Sequence, residues 1–484
     1  MHQHFRFAFS LQAIQHTRHA NGLPAQHRFR QLEQRILDSM PAIERWFRLE
    51  WMEHTPPFYC SVDVRHAGFK LAPVDINLCP HGWNNLTPDM LPLAVQAAMA
   101  AIEKICPEAR NLLIIPENEP RDTFYWANVL QLKRLFHQAG LNVRFGSLSA
   151  TTEKSVTMKL PNGESLTLEP LLRTERRLGL KDFDPCTILL NNDLSAGIPG
   201  ILEDLNEQFL LPPLHASGSV RRKSNHYKAY EEVTKRFAKL VGIDYWLINP
   251  AFTACGDVDF ANAEQVEQLR ENIDAMLVKI KRKYKEYGIS ERPFVVIKAE
   301  GGDDGARGAG IMMVRDGKDL DVIVTKVLSK AAADSAEDAA KYAAKLAAKA
   351  IESGKALNAP KPVKSDKLAK TAVVADIIIQ EGVLTNERVN AAVAEPVVYM
   401  IDRFVVGGFY RIHSGRGPDE NLCTPGSSFV PLAFADSGRL PQPGEKSGAS
   451  SPNRFYMYGV VARLAMLAAS YELEATDPLA EVYD

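Results

Sequence analysis

The segment Phe294-Val-Val-Ile-Lys-Ala-Glu-Gly-Gly-Asp-Asp-Gly-Ala-Arg-Gly-Ala-Gly-Ile-Met-Met-Val314 places five glycines within ten positions, between two short apolar runs. The runs at 294–297 and 311–314 predict two buried strands joined by a glycine-rich loop. Because glycine lacks a Cβ, successive backbone N–H groups in such a loop can approach an oxyanion closely, as phosphate binding requires. The segment matches neither the Walker motif nor the dinucleotide fingerprint, so a phosphate-binding loop and a plain glycine-rich hairpin both fit it.

Two cations accompany this loop. Lys298 ends the first predicted strand with its ammonium beside the loop, and Arg307 lies inside the loop. Positive charge next to inward-turned N–H groups suits an anion, so these two residues are the first candidates for contact with phosphate. The loop glycines are Gly301, Gly302, Gly305, Gly308 and Gly310.

The composition is that of a globular protein rather than of a general nucleic-acid or membrane-surface binder. The chain has 484 residues, which is too long for one compact core and predicts two or three domains. Its net charge is −2, without the basic excess that such binders normally carry. No apolar run has the length of a membrane span, and the first thirty residues lack a secretory pattern. We therefore expect a cytoplasmic protein; self-association is left open.

Six cysteines are scattered along the chain without a CxxC pair or the spacing of metal ligands. In a cytosolic protein such cysteines are expected to be reduced thiols. They are Cys60, Cys79, Cys106, Cys186, Cys255 and Cys423.

The amino-terminal half alternates helical and strand patterns. Residues 26–50 repeat apolar positions at helical spacing, and Thr87-Pro88 opens a helix to about 105. A strand at 111–115, a helix at 124–139 capped by Thr123 and a strand at 141–145 predict a βαβ unit. Arg121 lies at the carboxyl edge of the first of these strands, where open α/β sheets bind ligands. Further elements are a hairpin at 155–160 and 165–168 around an Asn-Gly turn, and a strand at 187–190.

Two polar stretches could be solvated surface or binding groups. The first, 61–86, alternates polar and apolar residues and then breaks into Pro, Gly and Asn. The second, 221–228, clusters cations at the start of a helix that Ser224 could cap, and a helix start favours anions. The polar groups singled out in the two stretches are Asp63, Arg65, Lys70, Asp75, Asn77, Asn84, Asn85, Arg221, Arg222, Lys223 and Lys228.

The carboxy-terminal half contains a biased segment and a strong hairpin signal. Residues 327–370 are rich in alanine and lysine and predict an exposed helix with a flexible exit, following a long helix at 264–287. A strand at 377–383 precedes a hairpin at 396–401 and 404–412, turned at Asp402-Arg403. A closing helix is predicted at 455–471. Arg411 is near the end of the second strand of this hairpin, and Asp419 and Asn421 lie just beyond it.

This order of features resembles the ATP-grasp ligases over about residues 220–430. Five stretches extend the likeness to nearly the whole chain, which is similar to the proteobacterial glutamate–cysteine ligase family of ATP-grasp type. They are Val-Asp-Val-Arg-His-Ala-Gly-Phe-Lys-Leu-Ala-Pro-Val-Asp-Ile-Asn (62–77), Gly-Trp-Asn-Asn-Leu (82–86), Arg-Arg-Lys-Ser-Asn-His-Tyr (221–227), Gly-Ala-Arg-Gly-Ala-Gly (305–310) and Val-Val-Gly-Gly-Phe-Tyr-Arg (405–411).

The resemblance implies an α/β (α+β) protein, an ATP-grasp fold with an amino-terminal α/β substrate domain. The expected segments are a substrate-binding domain at 1–215, a helical linking segment at 216–292, a lid subdomain at 293–376 and a metal-binding subdomain at 377–484. The Ala/Lys-rich segment does not look like the rest of the family and is read as an insertion.

The resemblance also assigns the ATP and Mg²⁺ sites. Lys298 would contact the phosphates, with the glycine loop and its Arg307 closing over them as a lid, and Lys223 or Lys228 would meet the α-phosphate. The hinge 380–383 would pair with adenine through Gln380, Glu381 and Val383, and Glu387 would hold the ribose. Arg411 would meet the γ-phosphate or acyl phosphate. The implied Mg²⁺ ligands are Glu395, Asp419 and Asn421, although the family often has Glu-x-Asn where this chain has Asp419-Glu420-Asn421.

The implied reaction turns a carboxylate into an acyl phosphate, which an amine then attacks. Such chemistry depends on positioning and charge neutralisation, and needs no nucleophilic triad. The favoured substrates are glutamate and cysteine; other ATP-grasp substrate pairs and a non-catalytic nucleotide-binding protein are the alternatives. Glutamate carries two carboxylates and an ammonium, so its site should hold an arginine with acidic or amide acceptors. The candidates for glutamate are Arg65, Lys70, Asp75, Asn77 and Arg121.

Overall fold

The glycine-rich segment is flanked by paired strands, as its two apolar runs predict. The computed structural model describes residues 25–117, 122–149, 154–302, 311–330, 333, 374–432 and 454–479. Val295–Ala299 and Ile311–Val314 pair antiparallel with Lys298 opposite Ile311, which confirms the two strands. Residues 303–310, with Gly305, Arg307, Gly308 and Gly310, lie outside the described residues, as does Arg121.

Seven helices are labelled here. A further helical stretch covers 317–330, and most of the Ala/Lys-rich segment beyond it lies outside the described residues. The predicted single helix at 26–50 is wrong, because the chain forms two helices that meet at Ser39, with a proline in the first turn of the second. The labelled helices are α1 (Ala25–Asp38), α2 (Met40–Glu53), α3 (Leu91–Ile105), α4 (Thr123–Gln138), α5 (Lys223–Val241), α6 (Ala263–Glu286) and α7 (Arg454–Thr476).

The strands form a mixed α/β protein with three main sheets and one small hairpin. They are β1 (Tyr59–His66), β2 (Leu71–Asn77), β3 (Asn111–Pro116), β4 (Asn142–Ser147), β5 (Val156–Lys159), β6 (Ser165–Pro170), β7 (Leu172–Thr174), β8 (Arg177–Gly179), β9 (Thr187–Asn191), β10 (Phe209–Leu211), β11 (Phe252–Asp259), β12 (Val295–Ala299), β13 (Ile311–Val314), β14 (Val374–Glu381), β15 (Arg388–Val389), β16 (Ala392–Ile401), β17 (Phe404–His413) and β18 (Ser428–Pro431).

The first sheet joins the two ends of the chain. Its order is β18-β17-β16-β1-β2, so strands of the expected amino-terminal segment pair directly with the expected carboxy-terminal hairpin. The antiparallel register sets Asp63 opposite Asp75 and opposite Val397, and sets Glu395 opposite Arg411. Because side chains two positions apart share a face, this register groups charged residues on one side of the sheet.

The second sheet contains the predicted βαβ unit. Its order is β10-β9-β3-β4-β6-β5, and β3 runs parallel to β4 with α4 between them in the chain. The cap of α4 is Asp122 rather than Thr123, because the Asp122 carboxylate accepts from the Tyr125 N–H at 2.9 Å. A shared core joins this sheet to the first sheet and to the buried apolar residues of α7.

The third sheet, in the order β11-β14-β12-β13, carries the strands that flank the glycine-rich loop. One face packs on α6 through a second core that includes Leu269, Ile273, Ile297 and Ile379. Its hydrophobic strands thus fix the positions of Lys298 on β12 and Gln380 on β14. Among the described residues, no helix combines the length and apolar character that a membrane crossing needs.

The expectation that all six cysteines are reduced is wrong for two of them. Cys106, just after α3, forms a disulfide with Cys186, just before β9, across a separation of 80 residues. Spacing along the chain gives no sign of this pairing, because the fold and not a local motif brings the two positions together. Cys60, Cys79, Cys255 and Cys423 are free thiols.

Candidate active site

A cleft of about 230 Å³, called the larger cleft, lies between the first and third sheets. One wall comes from β1, β2, β16 and β17, and the other from β12, β13 and β14. Its lining includes the predicted site residues Arg65, Asp75, Asn77, Lys298, Gln380, Glu381, Val383, Glu395, Arg411, Asp419 and Asn421.

Four charged side chains of the first sheet form a network in this cleft. Arg65 Nε donates to Glu395 Oε2 at 2.8 Å, and Arg411 donates to the other oxygen of Glu395 and to Asp63 Oδ2, the latter at 2.7 Å. Burial raises the pKa of the Glu395 carboxyl, but the two guanidinium groups outweigh it and hold the pKa below its usual value. Burial raises the pKa of Asp63, and the neighbouring Glu395 charge adds to the effect against the opposing charge of Arg411.

Lys298 contributes a buried cation from the opposite wall. It is 6% exposed, and its ammonium donates to the Val74 carbonyl of β2. The pKa of Lys298 is lowered to about 8, chiefly by burial; the nearby charges of Lys223 and Arg65 act in the same direction, and the Asp75 carboxylate acts in the opposite direction. A buried lysine that faces a charged cleft is suited to binding an anion such as phosphate.

The predicted hinge is held by a buried ion pair. Glu381, at the end of β14, accepts from the Trp246 indole N–H at 3.0 Å and from the Ala251 N–H at 3.0 Å. Lys70 Nζ lies 2.8 Å from Glu381 Oε2 and 4.2 Å above the Trp246 ring. Lys70 is 1% exposed and does not line the larger cleft, so the structure places it behind the hinge and not among groups that could touch glutamate.

The predicted Mg²⁺ ligands supply the oxygen donors that this ion prefers, so their chemistry fits it. Each is already engaged: Glu395 by two arginines, Asp419 by Arg315, and Asn421 Oδ1 by the Cys423 N–H at 2.9 Å. Within the described part of the chain, no cluster of three His, Cys, Asp or Glu side chains is arranged to hold a metal. The carboxylates of Glu395 and Asp419 are thus both ion-paired with arginine in this structure.

A second and smaller cleft, of about 60 Å³, adjoins the first. Lys223 and Gly302 line it, and a Cβ built on the adjacent Gly301 would lie 3.0 Å from the Gly218 carbonyl oxygen. Ser224 does not cap α5 with its side chain; instead its backbone N–H donates to the Glu300 carboxylate at 2.9 Å. Glu300 thus occupies the helix start that the cation cluster suggested as an anion site.

Two predicted ATP contacts lie away from both clefts. Lys228 is exposed on α5, and Glu387 is buried with His66 at 2.9 Å and the Tyr458 hydroxyl at 2.7 Å from its carboxylate. Asp63, in contrast, lines the larger cleft although the sequence marks it only as one polar group of the stretch 61–86. Its position two residues before Arg65 on a strand was the available signal, since such residues share a face.

The family is evident from comparison with known proteins. A sequence model described as glutamate-cysteine ligase matches residues 33–342 and 344–473. A solved structure from Methylobacillus flagellatus KT, provisionally described as a gamma-glutamylcysteine synthetase, is 45% identical with a TM-score of 0.76, over 94% of this chain and 98% of that one. A glutathione synthetase-like effector from Globodera pallida is 10% identical with a TM-score of 0.37 over 84% of each chain, too distant to support an argument. No curated protein sequence gives a significant match. With nearly its whole length matched, the chain belongs to the glutamate–cysteine ligase family.

Proposed function

We propose that this protein is a glutamate–cysteine ligase that joins the γ-carboxylate of L-glutamate to the amine of L-cysteine, with ATP converted to ADP and phosphate. The observation that carries the proposal is that one cleft of a member of this family gathers Lys298, Arg411 and the carboxylates Asp63, Glu395 and Asp419. Cations and carboxylates together in one cleft are what phosphoryl transfer to a carboxylate requires.

ATP is proposed to lie along the third sheet. The hinge 380–383 supplies backbone groups for adenine, and the side chain of Gln380 lines the larger cleft from β14. Lys298 and the backbone at Gly301 meet the phosphates. Phosphate bound there would place the reacting end of the nucleotide toward Arg411, whose Nε is a buried donor without a partner in the described part of the chain.

The proposed Mg²⁺ site uses Glu395, Asp419 and Asn421, which all line the larger cleft. These residues would hold the ion, which would supply positive charge to neutralise the phosphates. The protein's contribution is to hold these oxygens beside Arg411 and Arg65, so that negative charge entering the cleft meets fixed positive groups. Arg411 and Arg65 share the Glu395 carboxylate in the absence of ligand.

Glutamate is proposed to bind in the larger cleft next to Arg411. Arg65 contributes charge there, although its three nitrogens already donate to Glu395, to the Val383 carbonyl and to the Glu420 carbonyl. Asn77 accepts from the Cys79 N–H through Oδ1 and keeps its amide donors for a carboxylate. Glutamate held between these groups would present one carboxylate to the γ-phosphate.

The test is ligation of paired substrates by the purified protein. With ATP, Mg²⁺, glutamate and cysteine, we expect equal amounts of ADP and γ-glutamylcysteine, measured by a coupled ADP assay and by mass spectrometry. Replacing cysteine by hydroxylamine should trap the acyl phosphate as a hydroxamate. Absence of phosphate release with glutamate and either nucleophile would refute the proposal.

A further inference from the structure

The smaller cleft is connected to the larger one through two residues. Asp75 and Asn77, at the end of β2, line both clefts. The volume of the smaller cleft is about 60 Å³. Because one water needs roughly 10–15 Å³ of such space, the cleft suits the polar end of a small amino acid and is too small for a nucleotide.

The smaller cleft is enclosed by closely packed backbone. The Gly302 N–H donates to the Gly218 carbonyl at 2.7 Å, and the Gly218 N–H donates to the Asp193 carbonyl at 2.6 Å. A Cβ on Gly218 would lie 3.1 Å from the Gly302 Cα, so a larger residue there would require the neighbouring backbone to shift by a few tenths of an ångström. These bonds tie three loops together and give the cleft a fixed shape.

One wall of the smaller cleft offers a cation for a carboxylate. Lys223 Nζ donates to the Gly302 carbonyl at 3.2 Å, and an ammonium has two further protons to donate. Arg221 also lines the cleft, but both carboxylate oxygens of Glu472 take its donors at 2.8 Å. Lys223 is therefore better placed than Arg221 to receive a ligand's carboxylate.

The shared wall offers an anion for an ammonium. Burial raises the pKa of the Asp75 carboxyl, but the charges of Lys223, Lys298 and Arg221 outweigh burial and leave the pKa below its ordinary value. Asp75 is thus ionised at neutral pH. Because it faces both clefts, an ammonium bound to it lies at the entrance to the larger cleft, where the acid substrate would be activated.

We propose that the smaller cleft binds the amine substrate, with Asp75 receiving its α-ammonium and Lys223 receiving its α-carboxylate. This inference rests on the proposed function, because that function requires an amine next to an acyl phosphate. The ammonium loses one proton to solvent, and the amine lone pair forms the C–N bond. The C–O bond to phosphate then breaks with its electron pair, and the second amine proton leaves with the phosphate.

Kinetics with three nucleophiles distinguish the proposed Asp75 contact from the proposed Lys223 contact. Cysteine has both groups, cysteamine has the ammonium alone, and hydroxylamine is a small amine that is neutral at pH 7. For Asp75→Asn we expect kcat/KM for cysteine and for cysteamine to fall about tenfold or more relative to hydroxylamine, as for loss of a charge-assisted hydrogen bond. For Lys223→Met we expect the preference for cysteine over cysteamine to fall by about tenfold on the same grounds.

The matched control is Asp257→Asn, which removes the same charge from an exposed carboxylate of β11 that lines neither cleft. It should leave all three nucleophile ratios unchanged, and circular dichroism should show each variant folded. A Lys223→Met variant with a raised KM for ATP and an unchanged cysteine-to-cysteamine ratio would assign Lys223 to the nucleotide and overturn the inference. Equal losses of kcat/KM with all three nucleophiles in Asp75→Asn would also overturn the inference. If the wild type forms no ADP with glutamate and hydroxylamine, the proposed function itself has failed, which is a different result.

Discussion

Lys298 and Val74 join the two sheets that face each other across the larger cleft, because the Lys298 ammonium donates a hydrogen bond to the Val74 carbonyl. Val74 precedes Asp75 on β2, so the buried cation is held beside a carboxylate as well as a carbonyl. The ammonium is thus fixed at the wall of the cleft before any ligand binds, and little reorganisation is needed when a phosphate arrives.

Replacing Lys298 by methionine should lower ATP-dependent turnover by about 100-fold or more, the loss expected when a preorganised charge is removed from a transition state. Methionine retains the length of the side chain. It also avoids the cost of burying a charge, and that burial is the main reason why the pKa of Lys298 is lowered to about 8. We therefore expect the thermal midpoint to be preserved. Near-normal turnover in a steady-state ADP assay would remove Lys298 from the mechanism.

The affinity for ATP should depend on pH through the same residue. The free protein's Lys298 is protonated below a pH of about 8 and loses its proton above it. Because the protonated form attracts phosphate, affinity is present below this pH and decreases as the pH rises through it. Equilibrium dialysis with Mg²⁺ and labelled ATP, without cysteine, measures the effect apart from the titration of the substrate thiol.

Lys298→Arg is the control for this pH dependence, since a guanidinium stays protonated across the range. Its ATP affinity should be flat where that of the wild type declines. Parallel curves for the two proteins would mean that Lys298 is not the group whose titration controls the affinity for ATP.

Local sequence patterns were sufficient for the elements of this site but not for their assembly. The β12–β13 pair, the hinge strand and the β16–β17 hairpin each have a short-range signal, which is why Lys298, Gln380 and Arg411 could be placed on the correct strands. No local pattern indicates that β1 pairs with β16. Arg65 and Glu395 are 330 residues apart in the chain, and the fold alone makes them an ion pair.

Local sequence also fails to show what Lys70 contacts. Alternating polar and apolar residues predict a strand with a polar face, and they do not tell whether a charge on that face meets solvent, substrate or a buried partner. The density of polar groups in this segment makes Lys70 a candidate for contact with glutamate. Its partner Glu381 belongs to a strand of another sheet, which no feature near Lys70 in the sequence reveals.

Glu395→Gln should lower the free energy of unfolding by about 3–5 kcal/mol, as expected when one partner of a buried ion pair is removed. Glutamine leaves Arg65 and Arg411 with less compensating charge in a site where Glu395 is 3% exposed. The folded-state pKa of Glu395 is lowered, so its contribution is complete at pH 7 and is lost only as the pH falls through that pKa. Urea denaturation at pH 7 measures the change.

The comparison for Glu395 is Glu420→Gln, which removes a carboxylate from the partly exposed pair with Arg416 at 3.1 Å. Such pairs contribute less than about 1 kcal/mol. Equal midpoints of urea denaturation for the two variants would show that the buried network does not stabilise the fold.

Arg315→Ala should reduce the Mg²⁺ concentration needed for half-maximal turnover. Arg315, just after β13, is ion-paired with Asp419 and competes with the ion for this carboxylate. A partly exposed pair is worth up to about 1 kcal/mol, which corresponds to a shift of about fivefold at most. Asp419→Asn should increase the Mg²⁺ concentration needed for half-maximal turnover. A Mg²⁺ titration in which neither variant shifts the midpoint would exclude Asp419 as a ligand.

Lys70→Met tests whether this lysine supports the hinge or contacts glutamate. Because Lys70 is 1% exposed and pairs with a Glu381 that is equally buried, losing the cation should lower the free energy of unfolding by about 3–5 kcal/mol. The KM for ATP should rise because Glu381 belongs to the hinge, while the KM for glutamate should stay near its original value. The double variant Lys70→Met with Glu381→Met should recover part of the stability, since it leaves no unpaired buried charge. A raised KM for glutamate in a single variant of normal stability would instead place Lys70 at the glutamate site.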